Sequence, residues 1–187
     1  MLLDGFSFYH IQQAQLDGTG ATAPCDEPYF VLAVADYDAI AAGVFVWGKS
    51  DITVRIVRDR KSESRSGLFD EFAAALQFPL YFGENWDAFE ECISELESLP
   101  HGVGIVIVVT EPDRVLCAEP EAMQQLVAVL ESASRMWSQV SDLDEPRVRQ
   151  AVPFHVLLAA SDKSAAARVA ARWQVAGAHL ADLRSLP

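Results

Sequence analysis

Residues 78–96 form the most informative segment of the chain, reading Phe78-Pro79-Leu80-Tyr81-Phe82-Gly83-Glu84-Asn85-Trp86-Asp87-Ala88-Phe89-Glu90-Glu91-Cys92-Ile93-Ser94-Glu95-Leu96. At about 100° per residue, the rotation of an α-helix, the large apolar side chains fall on one side: Trp86, Phe89, Ile93 and Leu96. The other side carries Glu84, Asp87, Glu91 and Ser94. The pattern predicts a loop followed by a helix from about Asn85 to Ser98, with one buried face and one face of carboxylates.

The carboxylates of this helix belong to a longer acidic region. Ten Asp or Glu residues and no Lys or Arg lie between Ser66 and Asp113. Acidic residues in a first helical turn are favoured by the helix dipole, and Asn85 is a good N-cap. Neither effect explains Glu91 and Glu95, whose i,i+4 spacing costs a few tenths of a kcal/mol through repulsion. The region is therefore a candidate for binding a cationic partner.

Composition limits the classes of function that fit the chain. Its 187 residues are 51% hydrophobic and 22% charged, which is typical of one compact globular unit. The formal net charge of −13 argues against a protein that neutralises a nucleic-acid backbone, because such proteins are basic. We expect no nucleic acid as a partner and a basic protein instead.

Cysteines and histidines do not indicate a disulfide framework or a metal site. Cys25, Cys92 and Cys117 are too few and too far apart, and the four histidines lack metal-binding spacing. Nucleotide-binding glycine motifs are absent from the sequence, so we expect neither a cofactor nor a metal. The start of the chain lacks a signal-like basic segment, and no apolar run is long enough for a membrane span. These features predict a cytoplasmic protein that does not contact a membrane.

The order of the secondary-structure patterns predicts an α/β fold. Alternating or continuous apolar runs indicate strands at 52–58, 103–109 and 153–160. Helical spacing of apolar residues indicates two helices between the first two strands, at 68–77 and 85–98, and a long helix before the third strand, at 119–138. The run 103–109 is expected near the middle of the sheet. Additional N-terminal strands are predicted at 29–34 and 44–47, and a short helix at 163–174. Gly83 is expected to supply a positive φ in the loop.

The segment Tyr81-Phe82-Gly83-Glu84-Asn85-Trp86-Asp87-Ala88-Phe89 resembles the signature of the barstar family, Y-[YF]-G-x-N-x-D-A-[LF]. Members of that family are intracellular inhibitors of a secreted ribonuclease. The resemblance extends over the order of elements and implies a small parallel three-stranded sheet packed with helices. It places a barstar-like domain at residues 51–161, between an N-terminal extension at 1–50, packed on the core, and a C-terminal extension at 162–187.

The resemblance also implies a function and a set of contact residues. Family members block a ribonuclease active site with an acidic helix and the preceding loop, and they are not enzymes. Carried onto this chain, the partner-binding residues are the loop tyrosine, the helix carboxylates and a small hydroxyl residue: Tyr81, Asp87, Glu90, Glu91, Ser94 and Glu95. Glu91 and Glu90 stand where the family has an aspartate and an aromatic residue, so we expect a basic ribonuclease other than barnase.

Two other functions fit the same residues. The first is an adaptor that reuses the fold to bind another basic partner, with the terminal extensions as its interface. The second is a carboxylate-dependent hydrolase, which requires a cleft that separates the pKa values of two carboxyl groups. The basic cluster Arg55, Arg58, Arg60, Lys61 and Arg65 is interpreted as a hydrated strand face and loop, with a second binding surface as the alternative.

Overall fold

A five-stranded parallel sheet forms the centre of the protein. The computed structural model describes residues 29–96, 98–100, 102–139 and 151–182. The strands are β1 (Phe30–Val34), β2 (Ile52–Val57), β3 (Gly104–Thr110), β4 (Phe154–Ala160) and β5 (Leu180–Asp182). Their order across the sheet is β2-β3-β4-β1-β5, and every neighbouring pair is parallel. β1 therefore lies between the two strands that come last in the chain.

In the described part of the chain, five α-helices cover the two faces of this sheet. They are α1 (Tyr37–Lys49), α2 (Arg65–Leu76), α3 (Trp86–Glu95), α4 (Met123–Trp137) and α5 (Lys163–Val175). Short 3-10 turns at Asp59–Lys61 and Pro120–Ala122 precede α2 and α4. Among the described helices, none combines the length and the apolarity needed to cross a bilayer.

The core is divided by the sheet into two unequal parts. The larger part joins one face of the sheet to α2, α3, α4 and α5 through residues such as Phe72, Phe89, Ile107, Leu130 and Trp173. The smaller part joins the other face to α1, the one described helix on that side, through Ile40 and Trp47. All seven residues of β4 are buried, as expected for a strand covered on both faces. The acidic helix α3 and the helix α1 thus lie on opposite sides of the sheet.

The α/β class, the parallel sheet and the N-terminal strand at 29–34 are confirmed, but the predicted strand at 44–47 is wrong. These residues lie in the second half of α1, because the buried residues Ile40, Gly43 and Trp47 recur at helical spacing. Asp36 caps this helix by accepting a hydrogen bond from the Ala39 N–H at 2.8 Å. Beside the three strands that the resemblance implies and the N-terminal β1, the described sheet contains β5, which follows the predicted C-terminal helix and which the sequence does not predict.

Smaller differences concern positions within the sheet and the helix ends. β4 is the central strand of the sheet, whereas the sequence predicts a central position for the strand at 103–109. α3 ends at Glu95, before the predicted Ser98, because Leu96 adopts a left-handed conformation with φ 41°. His10, Cys25, His101 and the predicted loop 141–150 lie outside the described residues. Within the described ranges, no group of His, Cys, Asp or Glu side chains has a geometry that could hold a metal ion.

Candidate functional site

An aromatic cluster beneath residues 78–86 holds the loop that precedes α3. Phe78 and Phe82 pack edge to face with ring centroids 5.1 Å apart, and Phe82 and Trp86 both pack on Phe69. The Phe82 N–H donates to the Pro79 carbonyl at 3.0 Å, which closes a tight turn. Leu80 and Tyr81 occupy the two central positions of this turn. Both ends of the turn are therefore anchored in the core while its tip faces solvent.

The start of α3 is fixed by Asn85. Its side-chain oxygen accepts a hydrogen bond from the Ala88 N–H at 3.0 Å, and its amide group donates to the Gly83 carbonyl at 3.1 Å. The left-handed residue of the loop is Glu84, with φ 49°, so the expectation of a positive φ at Gly83 is wrong. A Cβ at Gly83 would lie 3.0 Å from the Asn85 amide nitrogen. Glycine therefore favours this close approach of the Asn85 side chain, and it does not supply an unusual backbone conformation.

Helix α3 has the two faces that its sequence predicts. Phe89 and Ile93 are completely buried, and Phe89 contacts the rings of Phe72 and Trp86. The Trp137 indole N–H donates to the Ile93 carbonyl at 3.0 Å, which fastens α3 to α4. Four carboxylates are exposed on the outer side: Asp87, Glu90, Glu91 and Glu95. These four residues are called the acidic surface below.

The acidic surface is not neutralised by the described part of the protein. No ion pair among the described residues involves any of its four carboxylates. The pKa of the buried Cys92 thiol is raised, mainly by burial and also by the negative charges of Glu91 and Glu95. A cation brought to this surface would therefore meet carboxylates that no described Lys or Arg already occupies.

The basic cluster seen in the sequence has other roles. Arg58 pairs with Glu71 at 2.7 Å, and its guanidinium holds the pKa of that carboxyl below its usual range. Arg65 pairs with Glu119 at 3.3 Å, at the N-terminus of α2. Both arginines thus join α2 to neighbouring elements, which supports a structural role for these two members of the cluster.

The predicted contact residues do not all lie at the surface. Tyr81 is 69% exposed and sits beside the acidic surface along the chain. Ser94 is only 5% exposed, although the helical spacing places it on the side of the carboxylates. The four carboxylates and Tyr81 are thus accessible to a partner, whereas Ser94 is not accessible in this conformation. Their participation in binding stays a prediction.

Leu80 is a candidate contact that the sequence analysis missed. Its side chain is fully exposed, next to the exposed Tyr81 at the tip of the turn. An apolar side chain in this position contributes nothing to the core, since Phe78 and Phe82 on either side make the packing contacts. The sequence feature that points to such a contact is a leucine between Pro79 and Tyr81, ahead of the residues with helical spacing.

Comparison with protein families assigns the fold. The family described as Barstar (barnase inhibitor) matches residues 52–159, which is more than half of the chain. The chain belongs to the barstar family. The matched part includes the sheet strands β2 and β3, nearly all of β4, the helices α2 to α4 and the whole candidate site. The barstar match does not include β1, α1, α5 or β5.

Comparison with individual proteins adds little to the family assignment. No curated protein matches the chain. Two solved structures from Drosophila, ORC bound to GC-rich DNA and Cdc6 and ORC bound to AT-rich DNA and Cdc6, align at 12% and 13% identity. Their TM-scores are 0.47 and 0.45, and each alignment covers 97% of this chain and 55% of the other. The chain thus spans about half the length of those chains.

Proposed function

We propose that this protein is an intracellular, non-catalytic inhibitor of a basic ribonuclease. It binds the nuclease through the acidic surface and the adjoining turn, and it blocks the active site. The observation that carries this proposal is the set of exposed carboxylates on α3, which make no ion pair among the described residues, within a barstar-family domain.

Electrostatics explains why such a surface suits this partner. A ribonuclease active site must bind phosphates, so it presents cationic side chains. Carboxylates at α3 occupy the same kind of positions as phosphate groups and accept charge-assisted hydrogen bonds from Arg and Lys. The net charge of −13 also steers a basic protein toward the inhibitor before contact. Because α3 is capped and fastened to α4, little conformational freedom is lost on binding.

The test is inhibition of basic ribonucleases, measured by RNA cleavage and by calorimetric titration. Glu91→Gln and Asp87→Asn are expected to raise Kd by tenfold or more each, since each removes one charge-assisted contact. Glu121→Gln is the matched control, because Glu121 is an exposed acid at the start of α4, away from the acidic surface. It is expected to leave Kd within about twofold, as surface charges far from an interface act weakly.

A second function is favoured by the elements outside the family match. Helix α1 presents Phe45 and Val46 to solvent at 64% and 55% exposure, which suits an adaptor that binds through its extensions. The same titration separates the two functions. Inhibition that survives charge reversal at both Asp87 and Glu91 contradicts the proposed inhibitor, and binding mapped to α1 supports the adaptor.

A further inference from the structure

Helix α1 exposes an apolar strip on the face turned away from the sheet. Ile40 and Trp47 are buried against the sheet, whereas Phe45 and Val46 are more than half exposed. Adjacent large apolar side chains on the outer face of a helix make that face a candidate for contact with a partner.

The strip follows a regular helical spacing. Asp38, Ala42, Phe45 and Lys49 recur at i, i+4, i+7 and i+11, so they form one line along the outer side of α1. Ala41 and Val46 lie on either side of the line and are also exposed. The line begins with an acid in the first turn and ends with a base in the last. The Lys49 ammonium lies 4.1 Å from the centroid of the Phe45 ring.

When the α1 helices of two copies pack antiparallel along this line, complementary residues lie opposite each other. With the two-fold axis between Gly43 and Val44, Asp38 of one copy faces Lys49 of the other. Ala42 then faces Phe45, so this large side chain meets a small one, while Val46 on one flank lies on the same side as the Val46 of the other copy. A two-fold axis produces every contact twice, which is the property of an isologous interface. Both charge and shape therefore match in a single register.

We propose that α1 is a homodimer interface in which two copies of this chain pack their α1 helices antiparallel. The interface is small, consisting of one helical face from each copy, so a dimer in the micromolar range of Kd is expected. The acidic surface lies across the sheet from α1, so dimerisation leaves both acidic surfaces open. The proposal is independent of the proposed ribonuclease inhibition, because it rests on residues outside the family match, and it competes with the adaptor for the same face of α1.

Analytical ultracentrifugation of the full chain, from about 1 µM to about 200 µM, tests the dimer across the concentrations at which micromolar interfaces assemble. The mass is expected to rise from 20.5 kDa toward twice that value. Phe45→Glu is expected to keep the protein at the monomer mass throughout. Val175→Glu is the control, since it places the same charge on another exposed apolar residue, in α5.

A charge exchange decides whether the register is correct. Asp38→Lys and Lys49→Asp each turn two attractive contacts into two repulsive ones, so each variant alone is expected to dimerise at least tenfold more weakly. An equimolar mixture of the two variants restores opposite charges at both contacts and is expected to form a heterodimer. Circular dichroism melting of each variant checks that α1 remains folded.

Three results would each overturn the proposal. The first is a wild-type protein that keeps the monomer mass over the whole concentration range. The second is a dimer that forms equally well with Phe45→Glu. The third is a mixture of Asp38→Lys and Lys49→Asp that associates no better than either variant alone.

Discussion

Single residues at the turn before α3 show how the site is built. Phe78 and Phe82 hold the ends of the turn in the aromatic cluster, and the hydrogen bond from the Asn85 amide to the Gly83 carbonyl holds the start of the helix. The residues between them are thereby presented to solvent in a fixed position. We therefore expect Leu80 and Tyr81 to contribute to the binding of a partner.

Leu80→Ala is expected to weaken binding to the nuclease about tenfold without changing the stability of the free protein. The side chain is fully exposed when free, so its removal costs nothing in the core, whereas a leucine buried in an interface contributes about 1–3 kcal/mol. Calorimetric titration gives Kd, and thermal melting gives stability. Val175→Ala removes an equally exposed side chain elsewhere and serves as the control; equal affinities for the two variants would contradict a contact at Leu80.

At the scale of the element, α3 combines a stable buried face with an unfavourable outer face. Glu91 and Glu95 repel each other one turn apart, and Glu95 also lies at the end of the helix where the dipole disfavours a negative charge. The helix tolerates this repulsion because Phe89 and Ile93 are completely buried and Asn85 caps its start.

Glu95→Gln is expected to stabilise the free protein by a few tenths of a kcal/mol, while it weakens the complex. Urea denaturation at low ionic strength measures the first effect, and added salt is expected to diminish it. Glu121→Gln is expected to change stability in the opposite direction, because Glu121 lies where the helix dipole favours an acid. A destabilised Glu95→Gln variant would show that Glu95 makes favourable contacts in the free protein.

Elements also show what the sequence could and could not predict. The apolar and acidic faces of α3 are predictable because the helical period separates buried from exposed side chains at every residue assigned to a face except Ser94. Residues 44–47 were read as a strand because Val-Phe-Val-Trp is rich in β-branched and aromatic residues. The Asp36 cap and the packing of Ile40 and Trp47 on the sheet override that local preference. The burial of Ser94 depends on the packing of α3 against α4, which its own segment does not encode.

At the scale of the whole molecule, stability is expected to depend on His155. This residue lies in the central strand β4, and burial lowers the pKa of its imidazole to about 4. Between pH 6.5 and 4 the unfolded chain takes up a proton that the folded protein does not, so stability is full above pH 6.5 and falls as the pH is lowered.

The expected loss between pH 7 and pH 5 is about 2 kcal/mol, from roughly 1.4 kcal/mol for each pH unit below 6.5. Urea denaturation of the wild type and of His155→Leu at both pH values measures it. The variant is expected to lose less stability on acidification, while carboxylates such as Glu71 contribute equally to both proteins. Identical losses in the two proteins would contradict the burial of a neutral imidazole.

The position of β1 in the sheet has a consequence for how the protein forms. β1 is the first described strand, yet both its neighbours, β4 and β5, come from the last part of the chain: Phe30 pairs with Val156 and with Leu180. During synthesis β1 therefore emerges from the ribosome well before either partner exists. Such long-range pairing is slow because a long loop must close first. The completed sheet is thus expected to be a late product of folding, and an interrupted chain exposes strands that favour aggregation.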